Sequence, residues 1–241
     1  MLFFLTGDVQ IGKTRWLQQL ADDIVAAGVP VAGVLAPGDW VPAVGGRADG
    51  NGFEKRGIDN VLLPSGERLP FARRRDLAQQ EGSFDAASQS ARAKLAWEID
   101  DAAIARVNEH FRQLAGEGRG GGSERGEARG GARSEARGAD GRGLSDACVR
   151  GRSDAGLASA ASGLLIVDEL GRLELQRGEG LTEAVALLRQ GPTSAFPHAL
   201  VVVREELVGE AERQLGAAWP DRCRIAPDAE GRAAVLEAVG V

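Results

Sequence analysis

At 241 residues, 43% of them hydrophobic, the chain is long enough for one large domain or two small ones and can bury a core. Its net charge of −6 and pI near 5.2 argue against a general nucleic-acid-binding surface. Two cysteines, Cys148 and Cys223, make no disulfide framework or metal motif and read as an exposed thiol and a small buried hydrophobe; two histidines, His110 and His198, are too few for a zinc site.

Residues 1–5, Met-Leu-Phe-Phe-Leu, predict a short buried strand. The run lacks a basic leader and is too short for a signal peptide. No segment reaches the roughly 20 apolar residues that span a bilayer, so a soluble, cytoplasmic protein is expected. Next comes Gly7-Asp8-Val9-Gln10-Ile11-Gly12-Lys13-Thr14, which fits the Walker A pattern G-x-x-x-x-G-K-[ST] without mismatch. Glycines let the backbone wrap phosphate oxygens where a Cβ would clash. Successive N–H groups then form an anion nest, and the following helix presents its positive N-terminal end. Lys13 adds a cation for the β- and γ-phosphates, and Thr14 offers a hydroxyl to Mg²⁺. Trp16, Leu17, Leu20, Ile24 and Val25 recur at helical spacing, and Gly28 marks the stop. Strand, loop and helix are the context the motif requires; a glycine turn with an incidental lysine is the weaker alternative.

Residues 30–35 predict a second strand, and a loop rich in glycine and proline follows to about residue 52. Residues 57–63 and 68–72 flank the turn Pro64-Ser65-Gly66-Glu67, a hairpin signal, with Pro70 suggesting an edge strand. A helix is expected over 100–114, with Ile104, Val107 and Phe111 on one face. Residues 116–156 alternate glycine, arginine, serine, alanine and acids with almost no large apolar side chain. Such a segment cannot offset its ordering entropy and is read as a disordered insertion. An RNA-binding arginine-glycine tract is disfavoured, because the interleaved acids cancel its field and no aromatics are present to stack on bases.

Beyond the insertion, Leu164-Leu165-Ile166-Val167 predicts a buried strand ending in Asp168-Glu169. A helix follows over 180–189, a strand over 199–203 ending in Arg204, a helix over 205–215, a short strand over 223–226 and a terminal helix from Glu230. Apolar strands alternating with helices predict an α/β fold: a mostly parallel sheet with helices on both faces, a phosphate-loop architecture with an added β-hairpin. The insertion separates two halves of one sheet, so residues 1–241 are expected to form a single domain. A strand ending in carboxylates supplies what a phosphate loop lacks. Asp168, at the C-terminal edge of the sheet, can hold Mg²⁺ beside Thr14, in the manner of a Walker B acid. Glu169 can orient or deprotonate a water attacking the γ-phosphate. Solvated strand-end acids are the bland alternative.

Three segments carry a resemblance: Gly7 to Thr14, residues 57–73 with their Leu-Pro-Ser-Gly-Glu-Arg centre, and Val167-Asp168-Glu169-Leu170-Gly171-Arg172-Leu173-Glu174-Leu175. Together they resemble the small phosphate-loop nucleoside-triphosphatase family first known from thermophiles. The last stretch is the most specific. The resemblance spans the chain apart from the insertion and implies hydrolysis of ATP, GTP and other nucleoside triphosphates with Mg²⁺. It implies that Gly12, Lys13 and Thr14 bind phosphate and metal, while Asp168 and Glu169 serve metal and water. The chain departs from the family at Ala36-Pro37-Gly38-Asp39-Trp40, where members commonly carry an arginine, and residues 116–156 have no counterpart.

The expectation is a Mg²⁺-dependent hydrolase that converts nucleoside triphosphates to diphosphate and phosphate, with ATP or another triphosphate bound by Gly7, Asp8, Val9, Gln10, Ile11, Gly12, Lys13, Thr14 and Arg15. Thr14 and Asp168 are the candidate metal residues, and Glu169, Lys13 and Arg204 the candidate catalytic ones. Arg204, at the catalytic edge, could neutralise the γ-phosphate, or simply lead into the next helix. Arg172 is a further candidate. Arg73-Arg74-Arg75 could attract an anion or be a solvated face, and Glu174 could support the site or lie on the surface. Trp40 and Trp97 could stack on a base or fill a core. A nucleotide or small-molecule kinase and a nucleotide-gated switch remain alternatives. No membrane partner is expected, nucleic acid is disfavoured, and a protein partner is left open.

Overall fold

The computed structural model describes residues 1–8, 11–43, 52–117 and 163–241. Val9 and Gln10 of the loop motif, Cys148 and residues 118–156 of the expected insertion lie outside the described residues. In chain order the elements are β1 (Leu2–Leu5), α1 (Lys13–Ala26), β2 (Val31–Leu35), β3 (Gly38–Pro42), β4 (Phe53–Leu63), β5 (Glu67–Arg74), α2 (Arg75–Glu81), α3 (Gln89–Arg92), β6 (Trp97–Ile99) and α4 (Asp101–Glu117). From residue 163 onward come β7 (Leu164–Leu170), a π-helical turn (Leu173–Arg177), α5 (Thr182–Arg189), β8 (His198–Val203), α6 (Glu205–Leu215), β9 (Arg222–Ile225) and α7 (Ala229–Val239). Gly116 and Glu117, expected to open the insertion, belong to α4.

The continuous apolar runs form strands because both faces of each are buried. In β1, Leu2 and Phe4 join one core cluster while Phe3 and Leu5 join another. β7 and β8 split the same way, Leu165 and Val167 against Leu164 and Ile166, and Val201 and Val203 against Leu200 and Val202. This is the period of two that a strand imposes on its side chains. Leu17, Leu20 and Ile24 of α1 and Val235 of α7 cover one face; α4, α5 and α6 cover the other through residues such as Phe111, Leu188 and Leu207.

The nine-stranded sheet runs β6-β5-β4-β2-β7-β8-β1-β9, with β3 paired to β4. It is mixed rather than mostly parallel. β2, β7, β8, β1 and β9 are parallel neighbours, whereas β3, β4, β5 and β6 join antiparallel. β2 and β7, distant in the chain, are adjacent, with Val34 opposite Val167. The expected hairpin is β4–β5, and β6 pairs only with residues 72–74, so the Pro70 stretch of β5 lies at the edge as its missing N–H requires. The close pairing of β2 with β7 demands glycine at Gly33. Its φ is +116°, and a Cβ there would lie 2.0 Å from the Ile166 carbonyl oxygen.

Candidate active site

β1 ends beneath a loop that turns into α1, and two glycines make the turn. Gly7 has φ +134° and Gly12 φ +93°. A Cβ at Gly7 would lie 2.6 Å from Ile11 Cδ1. Gly12 caps α1 without a side-chain bond, and no acidic residue sits in the first turn. The helix thus begins with unneutralised N–H donors, the arrangement that binds anions. Lys13 Nζ donates to the carbonyl oxygens of Gly7 (2.8 Å) and Asp8 (2.7 Å), arching back over the loop. Desolvation lowers its pKa, and Glu169 opposes that effect.

The parallel neighbours bring the second group to the same edge. Asp168 is buried in β7 and accepts from the Ala36 N–H (2.8 Å), just past β2, and from Thr14 Oγ1 (3.4 Å) at the start of α1. Desolvation raises its pKa to about 6, helped by the neighbouring Glu169 charge and resisted by the Ala36 N–H.

Strict alternation would send Glu169 to the opposite side of the sheet from Asp168. Instead the β7–β8 register slips between Val167, opposite Val201, and Leu170, opposite Val203: three steps on one strand against two on the other. The extra residue is a bulge, and within it Glu169 takes φ +81°, uncommon for a side-chain-bearing residue. So turned, Glu169 Oε1 accepts from Arg204 Nε (3.0 Å) and its terminal nitrogen (2.9 Å). Arg204 leads from β8 into α6, and the adjacent Glu205 accepts from Thr6 Oγ1 (2.8 Å), tying the end of β1 to α6.

Five of the sequence candidates therefore converge: Lys13, Thr14, Asp168, Glu169 and Arg204 are linked by these bonds and by their mutual fields. Gly7, Asp8, Ile11, Gly12 and Arg15 line the same loop and helix start. Arg172 is exposed at the head of the π-helical turn and makes no bond to Glu169. Glu174 is neither a surface residue nor aimed at Thr14. Its two oxygens accept from the N–H groups of Gly171 (2.9 Å) and Leu181 (3.0 Å), closing the segment that follows the bulge. Arg73 and Arg74 are engaged by Glu81, Glu54 and Asp76, and Arg75 donates to the Ser90 carbonyl, so this run is structural. Trp40 and Trp97 both face Lys55, which the sequence did not single out; only the folded sheet reveals that neighbourhood.

Among the described residues no group of three metal-ligating side chains occurs, and no helix is long and apolar enough to cross a membrane. The Thr14 hydroxyl and Asp168 carboxylate, 3.4 Å apart, are hard oxygen donors of the kind Mg²⁺ takes when phosphates and waters complete its shell, so the residues present fit that ion.

No family model matches the chain, and no curated protein sequence does. The structure is similar to the solution structure of a human cancer-related nucleoside triphosphatase, with a TM-score of 0.50 and 17% identity over 99% of this chain and 94% of the other. The two share an α/β fold. The likeness is one of architecture, reached with few identical residues.

Proposed function

We propose that this chain is a single phosphate-loop domain that hydrolyses nucleoside triphosphates to diphosphate and phosphate with Mg²⁺ in the cytoplasm. The observation that carries the reading is the bulge after Val167, which turns Asp168 and Glu169 to one edge beside Lys13 and Thr14. The fold shared with a nucleoside triphosphatase supports it, as does the pairing of β2 with β7, strands far apart in the chain.

In this reading the loop N–H groups and the first turn of α1 cradle the phosphates. Lys13 exchanges its bonds to the Gly7 and Asp8 carbonyls for phosphate oxygens. Thr14 and Asp168 hold Mg²⁺, which when bound offsets the charge of the β- and γ-phosphates. Arg204 occupies Oε1 of Glu169, so Oε2 is left to accept a proton from water. The water oxygen bonds to the γ-phosphorus, the bond from that phosphorus to the bridging oxygen breaks, and the diphosphate leaves with the electron pair.

Phosphate release from the purified chain with each of four nucleoside triphosphates, with and without Mg²⁺, tests the reading. Release that needs Mg²⁺ and no acceptor is expected. Transfer of the phosphoryl group to an added acceptor hydroxyl with no phosphate release, or no release with any triphosphate, would overturn it.

A further inference from the structure

The chain has three lysines: Lys13, Lys55 and Lys94. Lys13 belongs to the phosphate loop, and Lys94 is exposed after α3. Lys55 stands apart, in β4. That strand pairs with β2 only through residues 61–63; its first half continues past the end of β2 and pairs with β3 and β5. Register slips at Asp39/Trp40 and Ile58/Asp59 interrupt this part, and such bulges bend strands. Because β4 lies beside β2 and β2 beside β7, this half of β4 extends past the end of the sheet that carries Asp168 and Glu169.

The neighbours of Lys55 are engaged elsewhere: Arg74 takes Glu54, and Glu81 lies 3.8 Å from Arg56. Lys55 is instead paired with Trp40 across the β3–β4 ladder. Its Nζ lies 5.9 Å from the Trp40 ring centroid and 5.4 Å from that of Trp97. Gly38 leaves room for the stem, since a Cβ there would lie 2.7 Å from Lys55 Cε. Among the described residues no carboxylate ion-pairs with this ammonium. It is partly desolvated, which lowers its pKa, while the charges of Glu169 and Asp168 act on it from nearby. The coupling is mutual, as Lys55 favours the ionised form of Asp168.

An ammonium fixed against two aromatic faces has lost rotamer freedom in advance and keeps its hydrogen-bond donors for an anion. We propose that Lys55 is a substrate-contacting residue that meets the terminal phosphate of a bound nucleoside triphosphate from β4, while Lys13 meets the phosphates from the loop. The inference rests on the triphosphatase reading. A diphosphate lacks the group that Lys55 contacts, so the lysine should discriminate between the two ligands.

Lys55→Met keeps an apolar chain between the rings and removes the charge. Binding of Mg·ATP and Mg·ADP and the rate of phosphate release are measured on the full chain. Tenfold or greater loss of ATP affinity or turnover is expected, with ADP affinity within about twofold of wild type and partial rescue by Lys55→Arg. Independently, acetylation of the unmodified protein, read by mass spectrometry, should show Lys55 protected by ATP and not by ADP, with Lys94 as the unprotected reference. This second measurement decides the matter if Lys55→Met does not fold. Unchanged turnover and ATP affinity in a folded Lys55→Met, equal losses for ATP and ADP, or no ATP protection of Lys55 would overturn the inference alone. A wild-type chain that binds no triphosphate would overturn the proposed function and this inference with it.

Discussion

Asp168→Asn should stabilise the metal-free protein at neutral pH while abolishing its proposed chemistry. A carboxyl that titrates near 3.8 in solvent titrates at about 6 in the fold, chiefly because burial strips its hydration. The folded-state pKa is the higher one, so the folded protein holds the proton more tightly and loses stability as pH rises between the two values. At about 1.4 kcal/mol per pH unit, the cost is about 1 kcal/mol at pH 4.5 and about 3 kcal/mol at pH 7.5. Asparagine is never ionised, and its amide oxygen can still accept from the Ala36 N–H, the 2.8 Å bond that anchors this side chain. Changes in packing and hydrogen bonding are the same at both pH values and cancel in the comparison. The stability of the variant relative to wild type should therefore rise by about 2 kcal/mol from pH 4.5 to 7.5. Urea unfolding of both proteins in chelator at the two values measures this. A relative stability independent of pH would show that the fold does not hold the Asp168 carboxyl above its solvent pKa. Addition of Mg·ATP should then favour wild type, because only the carboxylate binds the ion.

Lys13→Ala should cut turnover severely and weaken triphosphate binding, because it removes the loop cation that arches over Gly7 and Asp8. Circular dichroism should be unchanged, and full turnover in a folded variant would contradict the phosphate-loop role. Glu169→Gln should slow phosphate release by about 10²–10⁴-fold while ATP affinity stays near wild type; lost affinity with unchanged turnover per bound nucleotide would make Glu169 a binding residue. Gly33→Ala should destabilise by about 3–5 kcal/mol, since its Cβ would lie 2.0 Å from the Ile166 oxygen at a φ of +116°. An unchanged thermal midpoint would show that β2 and β7 can separate there at little cost.

Elements whose stability is written locally were legible in the sequence. β1, β7 and β8 are apolar at nearly every position because both faces are covered, and the loop glycines announce their positive φ. β3 was hidden. Gly38-Asp39-Trp40-Val41-Pro42 is largely exposed and exists because β4 pairs with it, a partner supplied from more than ten residues away. β6 has three residues and α3 four, the latter closed by Ser88 accepting from the Ala91 N–H; neither carries a period long enough to detect. Lys55 was not singled out, because its place beside Trp40 and Trp97 depends on β3 and β6. Arg204 was legible as the end of a buried strand, but its bond to Glu169 was not, because it depends on the register of β7 against β8.

That register is the least local feature of the site and the one on which its proposed chemistry rests. In an uninterrupted strand Asp168 and Glu169 would face opposite helical layers, and a carboxylate would be driven into one of two apolar clusters. The bulge avoids this at the cost of a left-handed backbone at a residue with a side chain, a strain of about 1–3 kcal/mol. The surroundings can hold it. Val167 and Leu170 on either side are fully buried, and Glu174 closes the following segment through Gly171 and Leu181. Glycine at 169 would relieve the strain and remove the carboxylate. Glutamate there instead means that the fold tolerates local strain to aim two acids at one edge, beside the loop proposed to receive phosphate.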